Sequence, residues 1–136
     1  IRAEVATSMG RKPSQVLELD RFCIVPEYQV KNLASKFMAS VIRLMRRDRP
    51  EVSTLVSFAD PAQGHNGGIY RASNWTKVGM TAASYEYVLQ DGSRMHKKTL
   101  YNMAVKAGLK EREYVEESVV KREELPPKHK FVYELR

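Results

Sequence analysis

The stretch from residue 16 to residue 75 constrains the fold more than any other part of the chain. It begins with a strand-like run, VLELDRFCIV, and continues through PEYQVKNLAS into a basic amphipathic helix that Pro50 ends. Apolar residues recur at helical spacing from Lys31 onward, and the next run, VSTLVSF, is rich in β-branched and aromatic residues. This order predicts a strand, a crossover helix and a parallel strand, which form a right-handed βαβ unit. A polar loop and a short helix that carries Tyr70 follow.

The rest of the chain places this unit in a larger mixed sheet with flanking helices, an α/β (α+β) fold. The elements predicted after the loop are strands at 76–81 and 84–89, a helix at 97–109, a helical or irregular segment at 111–118, and a final strand in HKFVYELR. The first two strands are expected to pair with each other, as a hairpin or at a sheet edge. A turn at Asp91-Gly92 is expected to end the second of them. Residues 1–14 show no clear periodicity, so the sequence does not define their structure. A length of 136 residues predicts a single domain spanning residues 1–136.

Composition indicates the cellular environment of the protein and the chemical class of its partners. The chain has 23 Lys and Arg against 16 Asp and Glu, a net charge of +7, which favours polyanionic partners such as nucleic acid. Cys23 is the only cysteine, so no internal disulfide forms, and its place beside Phe22 and Ile24 predicts a buried structural thiol in a strand. No apolar run is long enough for a membrane span and no signal peptide is evident, so we expect a cytoplasmic protein with no membrane partner. The chain begins with Ile1, and an upstream segment could be missing.

Polar residues cluster where a ligand would be held. The turn from the first strand into the helix presents free backbone N–H groups and the positive end of the helix dipole, which suit a pyrophosphate. The second strand then delivers Asp60, His65 and Tyr70 to the same end of the sheet, with Ser57 as a further residue at the strand end. This combination predicts an enzyme that uses a nucleotide-derived cofactor.

Structural roles could explain the same residues. Asp60 precedes Pro61 and could cap a local turn, His65 could be an ordinary loop histidine, and Tyr70 could be a packing aromatic. Trp75 is expected in the core or at an interface, with base stacking as a lesser alternative. The histidines and Asp60 lack the spacing of metal ligands and no second cysteine is present, so we assign no metal.

The helix-opening turn resembles that of the GNAT superfamily of N-acetyltransferases. Gln29, Asn32 and Ala34 follow the Gln/Arg-x-x-Gly-x-Gly/Ala pattern of that superfamily, with Asn32 where glycine is usual. Asparagine tolerates a left-handed backbone better than other non-glycine residues, so the turn can still form. The segment IYRASNW is similar to the later helix of the superfamily, whose tyrosine acts beside the thioester. The resemblance implies a site for acetyl-CoA or a related acyl-CoA formed by Ile24, Val25, Gln29, Asn32, Leu33, Ala34, Ser35 and Tyr70.

A narrower resemblance is to the phage Mom family. It is carried by SFADPAQGHNGGIYRASNW, by LELDRFCIV before it, and by PPKHKFVYEL near the end of the chain. Proteins of that family have an acetyltransferase fold and modify adenine in phage DNA, which protects it from host restriction. The resemblance implies an acyl-CoA donor, the exocyclic amine of adenine as acceptor, and a host-cytoplasmic location. Compared with that family, the chain looks short at its N-terminus.

The implied reaction assigns roles to the polar residues. An amine conjugated to an aromatic ring is a poor nucleophile, so the site must position it, remove a proton and stabilise the developing charge. Asp60 or His65 would be the base, since a histidine side chain exchanges protons near neutral pH and Asp60 could instead orient it. Tyr70 would protonate the departing thiolate or hydrogen-bond the carbonyl, and Ser57 is a lesser candidate.

Basic residues supply the predicted DNA-binding surface, which comprises Lys77, Lys97, Lys98, Lys128, His129 and Lys130, with Arg94 and His96 beside them. Tyr85, Tyr87 or Tyr101 could stack on a base. A solvated basic surface would give the same pattern. Two other function classes stay open: an N-acetyltransferase acting on a protein or small-molecule amine, and a catalytically silent DNA-binding relative. The strand at 84–89 could also pair between subunits in a homodimer.

Overall fold

The computed structural model describes residues 3–136 and has an α+β fold. The helices are α1 (Ala3–Ser8), α2 (Leu33–Asp48), α3 (Gly68–Ala72), α4 (Lys97–Lys106) and α5 (Glu111–Ser118). The strands are β1 (Val16–Glu18), β2 (Thr54–Ala59), β3 (Thr76–Met80), β4 (Ser84–Leu89), β5 (Arg94–His96), β6 (Val119–Leu125) and β7 (His129–Glu134). They divide between two compact units: the chain up to Thr81 together with Lys128–Arg136, and Ala82–Pro127.

The first unit is built on a four-stranded mixed sheet. The strand order is β1-β2-β7-β3, with β1 parallel to β2 and the other neighbours antiparallel. The parallel pair joined by α2 confirms the predicted strand, crossover helix and strand. The predicted final strand is also confirmed. It lies inside the sheet between β2 and β3, where Phe131 is fully buried.

Apolar side chains cover both faces of this sheet. Met38 and Ile42 of α2 belong to the larger buried cluster, which includes Tyr70, Trp75 and Phe131. The predicted core position of Trp75 is therefore confirmed. The smaller cluster comprises Ala6, Val16, Val56 and Val132, and it contains the one buried residue of α1. This helix lies in the segment for which the sequence defined no structure.

The first strand is much shorter than predicted. The run from Val16 to Val25 was expected to be extended throughout, but β1 ends at Glu18. The N–H of Leu19 still donates to the carbonyl of Val56 at 2.8 Å, and beyond that point the chain leaves the sheet. Cys23 consequently lies outside any strand and is exposed, so the prediction of a buried thiol was wrong.

The second unit contains a three-stranded antiparallel sheet in the order β5-β4-β6. The predicted turn at Asp91-Gly92 is confirmed, and it joins β4 to β5. The expected pairing of the strands near 76–81 and 84–89 was wrong, because β3 and β4 belong to different sheets. Strand β6 was not predicted, since its sequence VVKREEL carries four consecutive charged residues and little alternation.

Gly67 provides a test of how tightly the polar loop is packed. Gly67 has φ +82°, and an added Cβ would overlap the ring of Phe131, whereas Gly64 has φ +74° and open space around it. Both Gly→Ala substitutions strain the backbone by about 1 kcal/mol, but only Gly67→Ala adds an overlap, which costs roughly 1–3 kcal/mol more. We expect urea denaturation to show a clearly lower midpoint for Gly67→Ala than for Gly64→Ala. Equal midpoints would contradict the packing of this loop on Phe131.

Candidate active site

The candidate site begins where β1 and β2 separate, and Ser57 of β2 marks that point. The residue is 1% exposed and its hydroxyl donates to the carbonyl of Leu19 at 2.7 Å, so a side chain provides the hydrogen bond where the backbone ladder ends. The same oxygen lies 2.7 Å from the hydroxyl oxygen of Tyr70. A serine has one proton to donate. While Ser57 donates to Leu19, Tyr70 must therefore be the donor in the second hydrogen bond.

Tyr70 is held by packing as well as by this hydrogen bond. Its ring centroid lies 5.1 Å from that of Phe131 and 5.2 Å from that of Trp75. The interpretation of Tyr70 as a packing aromatic is therefore confirmed. The two observations are compatible, because a tyrosine can bury its ring and direct its hydroxyl to a polar partner.

A first cavity of about 270 Å³ opens beside Tyr70. It is lined by Phe22, Phe58, Ala59, Gly64, His65, Asn66, Gly67, Gly68, Ile69 and Tyr70. We call it the tyrosine pocket. His65 and Tyr70, two of the residues with predicted catalytic roles, thus share one cavity. The loop that carries His65 follows the turn after β2, where its N–H donates to the carbonyl of Asp60 at 3.0 Å.

Asp60 lines an adjoining cavity of about 400 Å³. Its carboxylate accepts a hydrogen bond from the N–H of Ala62 at 3.0 Å, which confirms the turn-capping interpretation. A second carboxylate oxygen lies 3.6 Å from Nζ of Lys128, which also lines this cavity. His65 and Phe58 border both cavities. Among residues 3–136, no hydrogen bond joins the Asp60 carboxylate to the His65 ring, so Asp60 does not orient His65 in this structure.

The beginning of α2 has the geometry of an anion-binding turn. Asn32 precedes the helix with φ 66° and makes no side-chain cap, so the left-handed conformation proposed for this residue is confirmed. Leu33 donates to the carbonyl of Val30 at 3.2 Å. The N–H groups of Ala34 and Ser35 make no hydrogen bond to any residue that the structure describes. These groups are therefore available to an anion.

An apolar groove connects this turn to the tyrosine pocket. It has a volume of about 360 Å³ and is lined by Phe22, Ile24, Gln29, Val30, Ala34 and Ile69. Gln29 shapes its wall by donating from Nε2 to the carbonyl of Ile24 at 2.8 Å. Val25, which was predicted to contact the cofactor, is exposed and is not among the lining residues. Phe22 and Ile69 line both the groove and the tyrosine pocket, so the two cavities share a wall.

The family comparison matches nearly the whole chain. The sequence profile of the Mom protein family matches residues 2–136. The chain belongs to the Mom protein family. No curated protein sequence matches it. Membership indicates a role in phage DNA modification, and thus a DNA-modifying enzyme.

The predicted DNA-binding residues of this Mom family member divide between the two compact units. Lys77, Lys128, His129 and Lys130 lie in the first unit, on or next to β3 and β7. Lys97 and Lys98 lie in the second unit at the start of α4, where His96 accepts a hydrogen bond from the N–H of Lys98 at 3.2 Å.

The candidate stacking tyrosines of the second unit differ in exposure. Guanidinium and ammonium groups lie near the ring of Tyr85: Cζ of Arg122 is 4.3 Å and Nζ of Lys97 is 5.3 Å from its centroid. Tyr87 is buried, so its ring offers no open face to a base. Burial, followed by a hydrogen bond with Tyr85, raises the pKa of Tyr87 to about 12. The exposed Tyr101 is the more accessible of the three.

Sequence reasoning missed two contributors to the site. Phe22 was placed in a strand, yet it lines both the groove and the tyrosine pocket. Lys128 was assigned to DNA alone, yet its ammonium group faces Asp60. The PPKHK segment that carries part of the family resemblance was the one signal that could have linked Lys128 to the site. The end of β1 had no comparable signal.

Two further properties concern the described part of the chain. Its His, Cys, Asp and Glu side chains form no group of three that could hold a metal ion. None of the helices within residues 3–136 combines the length and apolar character needed to span a membrane.

The hydroxyl pair predicts unequal costs for two small deletions. Tyr70→Phe removes one hydrogen bond and leaves Ser57 bonded to Leu19, which we expect to cost about 1 kcal/mol. Ser57→Ala leaves the Leu19 carbonyl and the Tyr70 hydroxyl without this partner, at roughly 1–3 kcal/mol. Free energies of unfolding from urea denaturation measure both. A smaller loss for Ser57→Ala than for Tyr70→Phe would show that Ser57 is not the shared partner.

Proposed function

We propose that this Mom family member transfers an acyl-derived group from an acyl-CoA, such as acetyl-CoA, to the exocyclic amine of adenine in phage DNA, as an anti-restriction enzyme with a GNAT-like fold. The observation that carries the proposal is the shared wall of Phe22 and Ile69, which joins an anion-binding turn to a pocket with a tyrosine and a histidine. A donor held at the turn can therefore reach the catalytic side chains along one continuous surface.

The groove fits the parts of an acyl-CoA. The free N–H groups of Ala34 and Ser35 suit its pyrophosphate, and the left-handed backbone of Asn32 shapes the turn around them. The apolar residues Phe22, Ile24 and Ile69 suit the less polar arm that follows the pyrophosphate. When bound, the donor supplies an activated acyl carbon and a thiolate leaving group.

His65 is the better placed of the two candidate bases. It borders both the tyrosine pocket and the cavity of Asp60, so an amine in either place lies near its ring. The carboxylate of Asp60 is already engaged by Ala62 and faces Lys128. We assign Asp60 to fixing the turn that carries His65 and to placing negative charge beside the acceptor, since Asp60 also accepts the His65 N–H through its carbonyl.

Tyr70 and Ser57 form a hydrogen-bonded pair in which Ser57 can respond when Tyr70 gives up its proton. Tyr70 donates to Ser57 while Ser57 donates to the Leu19 carbonyl. If Tyr70 gives its proton to the leaving group, Ser57 can turn its own proton from Leu19 to the tyrosine oxygen and stabilise the charge that develops there. Ser57 thus acts through Tyr70 as a positioning residue.

Basic residues at and just before the start of β7 lie on the side where the acceptor would bind. Lys128 lies at the Asp60 cavity, and Lys130 pairs with Phe58, which borders both cavities. Lysines at this position can neutralise backbone phosphates near the pocket. An adenine inside a duplex must be flipped out of the stack to reach the pocket, at a cost of a few kcal/mol.

Replacement of Tyr70 tests the catalytic assignment. In cells that express Tyr70→Phe, we expect the modified deoxyadenosine to fall by about 100-fold or more, because a general acid contributes at least that factor. Mass spectrometry of digested nucleosides measures it, and the exposed Tyr101→Phe is the matched control. DNA binding of Tyr70→Phe should be unchanged. Undiminished modification would remove Tyr70 from the mechanism, and unmodified DNA with the folded wild type would favour an acyltransferase that acts on another amine.

Replacement of Asn32 tests the donor turn. Asn32→Asp keeps a residue that tolerates the left-handed backbone and adds a negative charge that favours the helix but repels a pyrophosphate. We expect acetyl-CoA to bind about tenfold more weakly to Asn32→Asp, while Asn32→Gly binds as the wild type does. Isothermal titration calorimetry gives both dissociation constants. Equal affinity of the Asp and Gly variants would argue against pyrophosphate binding at this turn.

A further inference from the structure

A separate cavity lies along α2, away from the groove and the tyrosine pocket. It has a volume of about 270 Å³ and is lined by Ser35, Ala39, Ile42, Arg43, Arg46, Ala72, Ser73, Asn74 and Tyr133. We call it the arginine pocket. It shares no lining residue with the groove or with the cavities of Tyr70 and Asp60. Ser35, whose N–H is assigned to the donor turn, also lines the pocket, but the proposed reaction gives no role to Arg43 or Arg46.

Arg46 is fixed in this pocket before any ligand arrives. Its Nε donates to the carbonyl of Leu135 at 3.0 Å, and its Nη2 lies 3.3 Å from the hydroxyl of Tyr133. Its guanidinium carbon is 5.7 Å from the centre of the Tyr133 ring. A guanidinium has five N–H donors, so donors remain after these contacts. Holding the group in place reduces the entropy that a ligand must overcome on binding.

The pocket carries positive charge that nothing in it neutralises. Arg43 donates from Nη2 to the Ser40 hydroxyl at 3.0 Å, and neither Arg43 nor Arg46 forms an ion pair within residues 3–136. No acidic residue lines the cavity. Arg47, the next arginine along the helix, instead pairs with Asp48. The two pocket arginines are thus free to receive an anion.

One buried hydroxyl group without a hydrogen-bond partner also lines this pocket. The hydroxyl oxygen of Ser73 is buried and makes no hydrogen bond among the described residues. Asn74 beside it has a left-handed backbone with φ 64°, which ends α3 in the usual way: the N–H of Trp75 donates to the carbonyl of Tyr70 at 2.9 Å and the N–H of Asn74 to that of Arg71 at 3.3 Å. The Ser73 hydroxyl is thus the group on this wall that a bound ligand would satisfy, because buried polar groups in folded proteins are normally hydrogen-bonded.

We propose that the arginine pocket is a phosphate-binding site. Paired guanidinium groups bind phosphate oxygens through charge-assisted hydrogen bonds, often two at a time. The phosphate can belong to a small nucleotide-like molecule or to the backbone of DNA. Arg46 lies eleven residues along α2 from Ser35, which corresponds to about 16 Å, so a phosphate at Arg46 is distinct from one held by the N–H groups of the first turn.

The test is a titration of the protein with inorganic phosphate at constant ionic strength, followed by ¹H–¹⁵N NMR, without any acyl-CoA. We expect saturable shifts at the pocket and about tenfold weaker binding by Arg43→Gln, the effect of losing one charge-assisted contact. The control is Arg47→Gln, which removes the same charge from the same helix outside the pocket. Arg46→Lys, which keeps the charge but loses the planar fork, should also bind more weakly.

Outcomes separate the two sources of phosphate. A parallel titration uses a short duplex DNA. If Arg43→Gln binds the DNA more weakly and Arg47→Gln does not, the DNA backbone is the source of the phosphate. If Arg43→Gln binds inorganic phosphate more weakly but binds DNA as the wild type does, the ligand is a small phosphorylated molecule. Non-saturable shifts in the wild type, or equal losses for Arg43→Gln and Arg47→Gln, would overturn the proposal. Because no acyl donor is present, this result is independent of whether the proposed acyl transfer is correct.

Discussion

The arrangement of the candidate site depends on the hydroxyl group of Ser57. It is buried at the point where the parallel strands part, and it satisfies the carbonyl of Leu19 that the backbone ladder leaves unpaired. A buried carbonyl without a partner is costly, so the separation of the strands requires such a group. The same oxygen holds the hydroxyl of Tyr70. One small side chain therefore satisfies the carbonyl where the strands part and holds the hydroxyl of Tyr70.

Where the sequence has a strong local pattern, the predicted element is present in the structure. The helical period from Lys31 and the β-branched run before Phe58 correspond to α2 and β2, and the alternation near the end of the chain corresponds to β7. The left-handed turn at Asn32 could be anticipated because few side chains tolerate that conformation. These features depend on residues that are neighbours in sequence.

Features set by distant contacts could not be anticipated in the same way. The run through Cys23 looks like a buried strand, yet it leaves the sheet after Leu19, where the hydroxyl of Ser57 and not a backbone N–H donates to the carbonyl. The charged strand β6 depends on pairing with β4 and has no periodic signal of its own. The approach of Lys128 to Asp60 joins residues 68 positions apart, as their numbers show, and no local rule relates them. The sequence thus pointed to the polar candidates Asp60, His65 and Tyr70, but it did not identify most of the residues that enclose them or show which of them share a cavity.

The position of β7 affects how the protein is made. Its partners β2 and β3 are synthesised early, but β7 fills the space between them only after the whole Ala82–Pro127 unit has emerged from the ribosome. Until then β2 and β3 each lack a neighbour, and the ring of Phe131 is absent from the face where Tyr70 packs. Pairing strands so far apart in sequence is slow, and unpaired edges invite aggregation. The nascent chain therefore passes through an interval in which Tyr70 lacks the ring of Phe131 that it packs on, and the tyrosine pocket can form only once β7 has been translated.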